Sequence, residues 1–214
     1  MNRFDGVIFD LDGTLIDSNT VWERIDKQVL AQYGVFPEER ELHRAAAMTY
    51  EEVLQLFIGY GINITLDEMK KRFDTLAEIE YANNITLKSG VKDYLHALKS
   101  GNCPIALATA SPKRLYEPVL RNNGIYDMFD AFVTTDEVGK SKDYPDIYIE
   151  AAKRLGADTD RCIVFEDTLK AITTAARAGI YTVAVYDSCS SADEAAIRQT
   201  ADRYIVSFEE MCER

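Results

Sequence analysis

A chain of 214 residues with 47% hydrophobic and 28% charged residues has enough length for one good core, or for a core with a smaller insertion, and is too apolar to be disordered. Its formal charge of −12 argues against nucleic acid or an anionic membrane surface as partner. No apolar run reaches the roughly 18 residues of a membrane-spanning helix, and residues 1–5 lack the apolar stretch of a secretory leader, so a cytoplasmic protein is expected.

Read from the N-terminus, residues 4–10 are mostly apolar, with Val7, Ile8 and Phe9 in a row. That pattern suits a strand buried on both faces of a parallel sheet. Residues 18–84 then hold no convincing strand. Segments 21–33, 50–60 and 66–83 carry apolar residues at helical period, and Thr65 with Glu68 predicts a capping box before the last of them. Beyond this stretch strands and helices alternate: helix 91–99, strand 104–109, helix 113–122, strand 131–134, helix 148–155, strand 162–166, helix 169–178, and strands 181–185 and 203–206. The expected class is α/β: a doubly wound, mainly parallel Rossmann-like sheet core from residues 1–16 and 86–214, with a helical domain inserted at 17–85. Cys103, Cys162, Cys189 and Cys212 form no CxxC pair, and His43 and His96 are the only histidines. Reduced thiols are therefore expected, and no zinc site.

The polar residues of interest fall where predicted strands end. The first strand runs into Asp10-Leu11-Asp12-Gly13-Thr14. Residues two apart on extended chain point the same way, so two carboxylates emerge together at the edge where open α/β sheets bind ligands. A calcium loop would need a glutamate twelve positions from its start, and Val21 stands there. Two turn-forming aspartates fit the pair equally well when it is taken alone. The second strand ends in Ala108-Thr109-Ala110-Ser111-Pro112, with Ser111 placed as helix N-cap and Pro112 as first helical residue. Thr109 then lies between a strand end and a helix N-terminus, a natural place for a phosphate oxygen, although a capping turn alone explains it too. Lys142 sits in a loop ahead of Pro145, where a lysine is ordinarily solvated. Glu166 and Asp167 form a second acid pair at a strand end, and Asp167 could equally cap the next helix.

Together these give an ordered set: acid pair, hydroxyl, lysine, acid pair. The set resembles the four motifs of the haloacid dehalogenase superfamily and covers nearly the whole chain. The stretches DLDGTLIDS, ALATAS and SKDYPDIY are similar to the β-phosphoglucomutase and phosphoglycolate phosphatase branch, which carries a mobile helical cap after the first motif. The resemblance implies a phosphatase acting on a small phosphate monoester such as a sugar phosphate or phosphoglycolate. Asp10 would attack phosphorus and form an aspartyl-phosphate, while Asp12 protonates the leaving alcohol and then activates water. Thr109, Ala110, Ser111 and Lys142 would hold the phosphate, with Lys113 a further candidate unless it is simply solvated. Mg2+ would be bound by Asp10, the Asp12 backbone carbonyl and Asp167, with Glu166 close by.

Three departures stand out: Ser89 where the family usually has proline before Gly90, Ala171 in place of glycine, and Asp143 in place of proline after Lys142. Asp143 is expected to weaken the positive field at the lysine. Two competing readings are a sugar phosphomutase and a non-catalytic phosphate-binding regulatory protein; the presence of Asp10, Asp12 and Lys142 disfavours the second. A mutase of this branch would have a histidine where Trp22 stands and an arginine at Tyr50, and the nearest cap cation is Arg44. A phosphatase, monomeric or weakly dimeric, is thus expected, with substrate choice set around residues 45–52 and Trp22.

Overall fold

The computed structural model describes residues 4–18, 20–45 and 48–212, apart from the side chains of residues 43 and 44. Arg44 as a cap cation, and residues 46 and 47 of the expected specificity loop, lie outside what is described. In chain order the elements are β1 (Gly6–Phe9), α1 (Val21–Ala31), α2 (Glu39–Ala45), α3 (Tyr50–Gly59), α4 (Leu66–Asn83), α5 (Val91–Ser100), β2 (Ile105–Thr109) and α6 (Lys113–Asn122). They continue with β3 (Ala131–Thr134), α7 (Thr135–Val138), α8 (Asp146–Leu155), β4 (Cys162–Glu166), α9 (Leu169–Arg177), β5 (Tyr181–Val185), α10 (Glu194–Thr200), β6 (Arg203–Ile205) and α11 (Glu209–Cys212). The chain divides into two compact units: Met1–Asn19 with Ile85–Arg214, and Thr20–Asn84.

The first unit is built on a six-stranded sheet in the order β3-β2-β1-β4-β5-β6, every pairing parallel. β1 is central, which explains its unbroken apolar run: both of its faces are covered. On one face Phe9 stacks on Phe165 of β4 with ring centroids 4.8 Å apart, and Tyr94 of α5 and Phe208 close around them. On the other face Ile8, Ala106, Val133 and Val164 pack against Ile147, Tyr148 and Ala151 of α8 and Ala175 of α9. Helices on both faces make the sheet doubly wound. Chain order reverses beside β1, since β2 lies on one side of it and β4 on the other, and that switch point is where such sheets leave a crevice at their C-terminal edge.

Near this edge the strands of chain at 15–17 and 86–88 are tied together: Lys88 N–H donates to Leu15 C=O at 2.9 Å and Asp17 N–H to Thr86 C=O at 3.1 Å. Gly90 follows with φ +78°, and a Cβ there would run into the backbone of Phe208 and Glu209. Ser89, standing where the resemblance expects proline, donates its hydroxyl to Glu209 at 2.5 Å.

Among its described residues the second unit is built from the helices α1 to α4 and their connecting loops. α3 and α4 both begin with complete capping boxes, Thr49 with Glu52 and Thr65 with Glu68. Arg24 of α1 and Glu80 of α4 form an ion pair at 2.8 Å with the glutamate nearly buried, and Phe57 and Phe73 join α3 to α4.

Candidate active site

Three of the acids expected to carry chemistry converge at the sheet edge. Asp10 ends β1, and its N–H donates to Phe165 C=O at 3.0 Å, so it stands beside the end of β4. Glu166 and Asp167 close β4. Carboxylate oxygens of Asp10, Glu166 and Asp167 lie within 4.8 Å of one another, and all three residues are buried. Lys142 reaches into this cluster from the loop after α7. Its Nζ donates to Asp10 Oδ1, and to Glu166 Oε1 at 2.6 Å. The hydroxyl of Tyr148, on α8, donates to that same glutamate oxygen at 2.7 Å.

One ammonium cannot neutralise three buried carboxylates, and the electrostatics show it. Burial, followed by the charge of Glu166, pushes the Asp10 carboxyl up to about 7 against the pull of Lys142. Burial, then the charges of Asp10 and Glu166, raise Asp167 well above the carboxylate range. Burial works against the Lys142 ammonium, but the charges of Asp10 and Glu166 outweigh it and raise its pKa. An all-oxygen donor set with excess negative charge fits a hard divalent cation. Gly13 adds to the fit: at φ +78° it brings the backbone so close to Asp167 that a Cβ would collide with Oδ2.

The second half of the edge is arranged around Asp12, whose Oδ2 accepts from Ser111 Oγ at 2.6 Å. Ser111 N–H in turn donates to Thr109 Oγ1 at 2.9 Å, and Thr109 is fully buried at the end of β2. This revises the expected cap. Pro112, with extended backbone, takes the N-cap place, α6 begins at Lys113, and the Ser111 side chain is turned to Asp12. Ala110 is exposed between them. Lys113 lies outside the acid cluster: it is exposed and pairs along its own helix with Glu117 at 3.5 Å. Thr168 rather than Asp167 caps α9, accepting from Ala171 N–H, which leaves the aspartate carboxylate to the cluster. Asp143 forms an ion pair with Lys170, so its charge is countered locally instead of acting on Lys142.

A family model for haloacid dehalogenase-like hydrolases matches residues 4–179. The chain belongs to that family. Among curated relatives of this hydrolase, it is 32% identical over 181 residues to the bifunctional riboflavin kinase/FMN phosphatase of Arabidopsis thaliana, covering 84% of this chain and only 48% of that protein. It is 31% identical over 178 residues to the phosphorylated carbohydrates phosphatase of Thermotoga maritima, covering 82% of each. Among solved structures, a Thermotoga maritima protein assigned as a beta-phosphoglucomutase matches with a TM-score of 0.86 at 28% identity, over 97% of this chain and 96% of that one. The hydrolase is a phosphohydrolase, and its fold is the α/β fold of these proteins.

Two features of the hydrolase were not legible in its sequence as site residues. Tyr148 looks like one more core position of α8, and only the packing of α8 across β1 and β2 brings its hydroxyl to Glu166. Lys88 donates to Asp187 at 2.8 Å in a nearly buried ion pair at the end of β5, and the Asp187 charge is among those raising Asp167. Tyr148 closes the SKDYPDIY stretch without standing out there as a site residue, and Lys88 belongs to none of the recognised stretches; both act through contacts distant in sequence.

Proposed function

We propose that the chain is a Mg2+-dependent phosphatase that hydrolyses a small-molecule phosphate monoester through an aspartyl-phosphate on Asp10. The observation that supports this most is the convergence of Asp10, Glu166 and Asp167 around a single lysine at the switch point of a parallel sheet. Asp10, Asp167 and the Asp12 backbone carbonyl would hold the ion, with Glu166 beside them. When bound, Mg2+ supplies the positive charge that lets an anionic carboxylate approach an anionic phosphate. Asp10 is the nucleophile, held in place by Lys142 and by its backbone bond to β4. Lys142 is positioned to neutralise charge on the transferring phosphoryl oxygens, and the Thr109–Ser111 turn offers them a hydroxyl at the edge of β2. Asp12 protonates the departing alcohol and later takes the proton of the attacking water. Its hydrogen bond from Ser111 fixes the carboxyl for both transfers.

A phosphatase is favoured over a mutase by the helical unit. Trp22 and Tyr50 occupy the positions where the resemblance places the mutase histidine and arginine, and both line one pocket of that unit. No lysine or arginine is among the described residues lining it. Without such a cation a sugar bisphosphate loses a charge-assisted contact of about 1.5–3 kcal/mol. The test is phosphate release from 4-nitrophenyl phosphate with Mg2+ and after chelation, alongside β-glucose 1-phosphate. Release that depends on Mg2+, with no formation of glucose 6-phosphate, is expected; activity surviving chelation, or efficient isomerisation with little free phosphate, would overturn the reading.

A further inference from the structure

Among the described residues of the sheet unit the buried acids are Asp10, Glu166, Asp167 and Asp187, and only the last stands outside the cluster. It lies just past β5, the strand beside β4. These strands run parallel with Glu166 opposite Ala184, and continuing that register sets Asp167 beside Val185. The chain stays extended beyond β5: Tyr186 N–H donates to Ile205 C=O at 2.8 Å, and Asp187 has φ −141° and ψ 141°. Residues 185 and 187 therefore share a face, and Asp187 stands one step farther out along the edge than Asp167. Its charge reaches that neighbour, acting on the Asp167 carboxyl after burial and the charges of Asp10 and Glu166. Both oxygens of Asp187 are held: Oδ1 accepts from Cys189 N–H at 2.8 Å, and Oδ2 from Lys88 Nζ at 2.8 Å. The ammonium also donates to Tyr186 C=O at 2.7 Å, and the side chains are only 15% exposed for the lysine and 3% for the aspartate. Through its backbone N–H, Lys88 is bonded to Leu15 C=O as well, in the loop that follows Asp12 and Gly13. Burying such a pair costs desolvation, and stability alone would be served as well by two apolar side chains of similar volume.

We propose that Lys88 and Asp187 are a positioning pair for the metal centre: Asp187 lends negative charge from outside the ligand set, and Lys88 balances that charge and keeps the carboxylate engaged. The proposal rests on the Mg2+ reading above and adds two residues to it. Three buried acids already share the one ammonium of Lys142, so a fourth acid on the neighbouring strand needs a cation of its own. Lys88 is that cation, and it comes from a segment bonded to the loop of the first acid pair. Both groups are buried, so the field of either one is weakly screened by salt. Removing one partner leaves the charge of the other unbalanced. The two removals then act on a bound cation in opposite directions, whereas a pair that merely braced the fold would loosen the site alike whichever partner was lost.

The experiment is calorimetric titration of Mg2+ into the whole protein at pH 8, without substrate. Lys88→Met should tighten Mg2+ binding by roughly three- to tenfold, and Asp187→Asn should weaken it by a similar factor. The double variant, with neither charge, should return to within about twofold of the wild type. Metal-free melting curves show which variants are folded. Single variants whose Mg2+ affinities do not shift in opposite directions would overturn the proposal. If Lys88→Met does not fold, Asp187→Asn is compared with the double variant: the double should bind Mg2+ more tightly because it lacks the unpaired ammonium, and equal affinities would overturn the pair. A wild-type protein that takes up no Mg2+ overturns the metal reading itself, whereas Mg2+ binding that neither substitution moves overturns only the role of Lys88 and Asp187.

Discussion

At the scale of single residues, the site is held by a few short bonds between groups far apart in sequence. Glu166 Oε1 receives both Lys142 and Tyr148, so the glutamate fixes the lysine and the tyrosine fixes the glutamate. Removing the phenol leaves a buried carboxylate short of one donor, a loss of about 1.5–3 kcal/mol for a bond to a charged group. Tyr148→Phe should therefore lower the melting temperature and raise the Mg2+ concentration needed for half-maximal stabilisation. A variant with the wild-type Mg2+ titration and melting temperature would show that this hydroxyl is dispensable. Asp10, Asp12, Thr109, Lys142, Glu166 and Asp167 could be singled out beforehand because each ends a strand or begins a loop, where polar residues interrupt an apolar pattern. Tyr148 could not: it lies within the SKDYPDIY stretch but looks like an ordinary position of an amphipathic helix, and it acquires its role only from the glutamate packed against it.

At the scale of elements, legibility follows length and pattern. The strands 131–134, 162–166 and 181–185 and the helices 66–83 and 113–122 are observed with the bounds expected from their apolar patterns. Others end a residue or two away, where fraying and capping decide. α2, α7, α10 and α11 are 7, 4, 7 and 4 residues long, too short to show a clear helical repeat, and are not among the expected elements. The capping box at Thr65 was visible as a threonine three residues before a glutamate; the equal one at Thr49 is hidden only because the preceding segment has no clear pattern. Thr65→Ala removes an acceptor from the first turn of the longest helix and should destabilise the protein by about 1 kcal/mol. Denaturant unfolding measures this, and no change would show that α4 is held by packing alone. The Ser111 misassignment has a physical cause: a serine before proline is a common cap, but here a nearby carboxylate, Asp12, competes for its hydroxyl.

At the scale of the whole molecule, a net charge of −12 sits awkwardly with an anionic substrate, and the resolution is local. Burial raises Asp10 to about 7, and Asp167 is raised well above its ordinary value. Both groups hold protons in the folded state that the unfolded chain, near 3.8, releases. The contribution of Asp10 to stability is therefore full below about pH 4 and is lost as pH rises through about 7, and that of Asp167 changes in the same direction. The chelated protein should melt at lower temperature at pH 8 than at pH 5, and Mg2+ should raise the melting temperature more at pH 8, where the carboxylates it binds are ionised. A Mg2+ effect that is larger at pH 5 would contradict this electrostatic account. The most direct test of the central claim is to trap the covalent step. Borohydride added during turnover of 4-nitrophenyl phosphate reduces an acyl phosphate to the alcohol, and peptide mass spectrometry locates the converted side chain. The account predicts conversion of Asp10 to homoserine with Mg2+ and none after chelation; steady phosphate release with Asp10 unmodified and another carboxylate converted, or none at all, would contradict it.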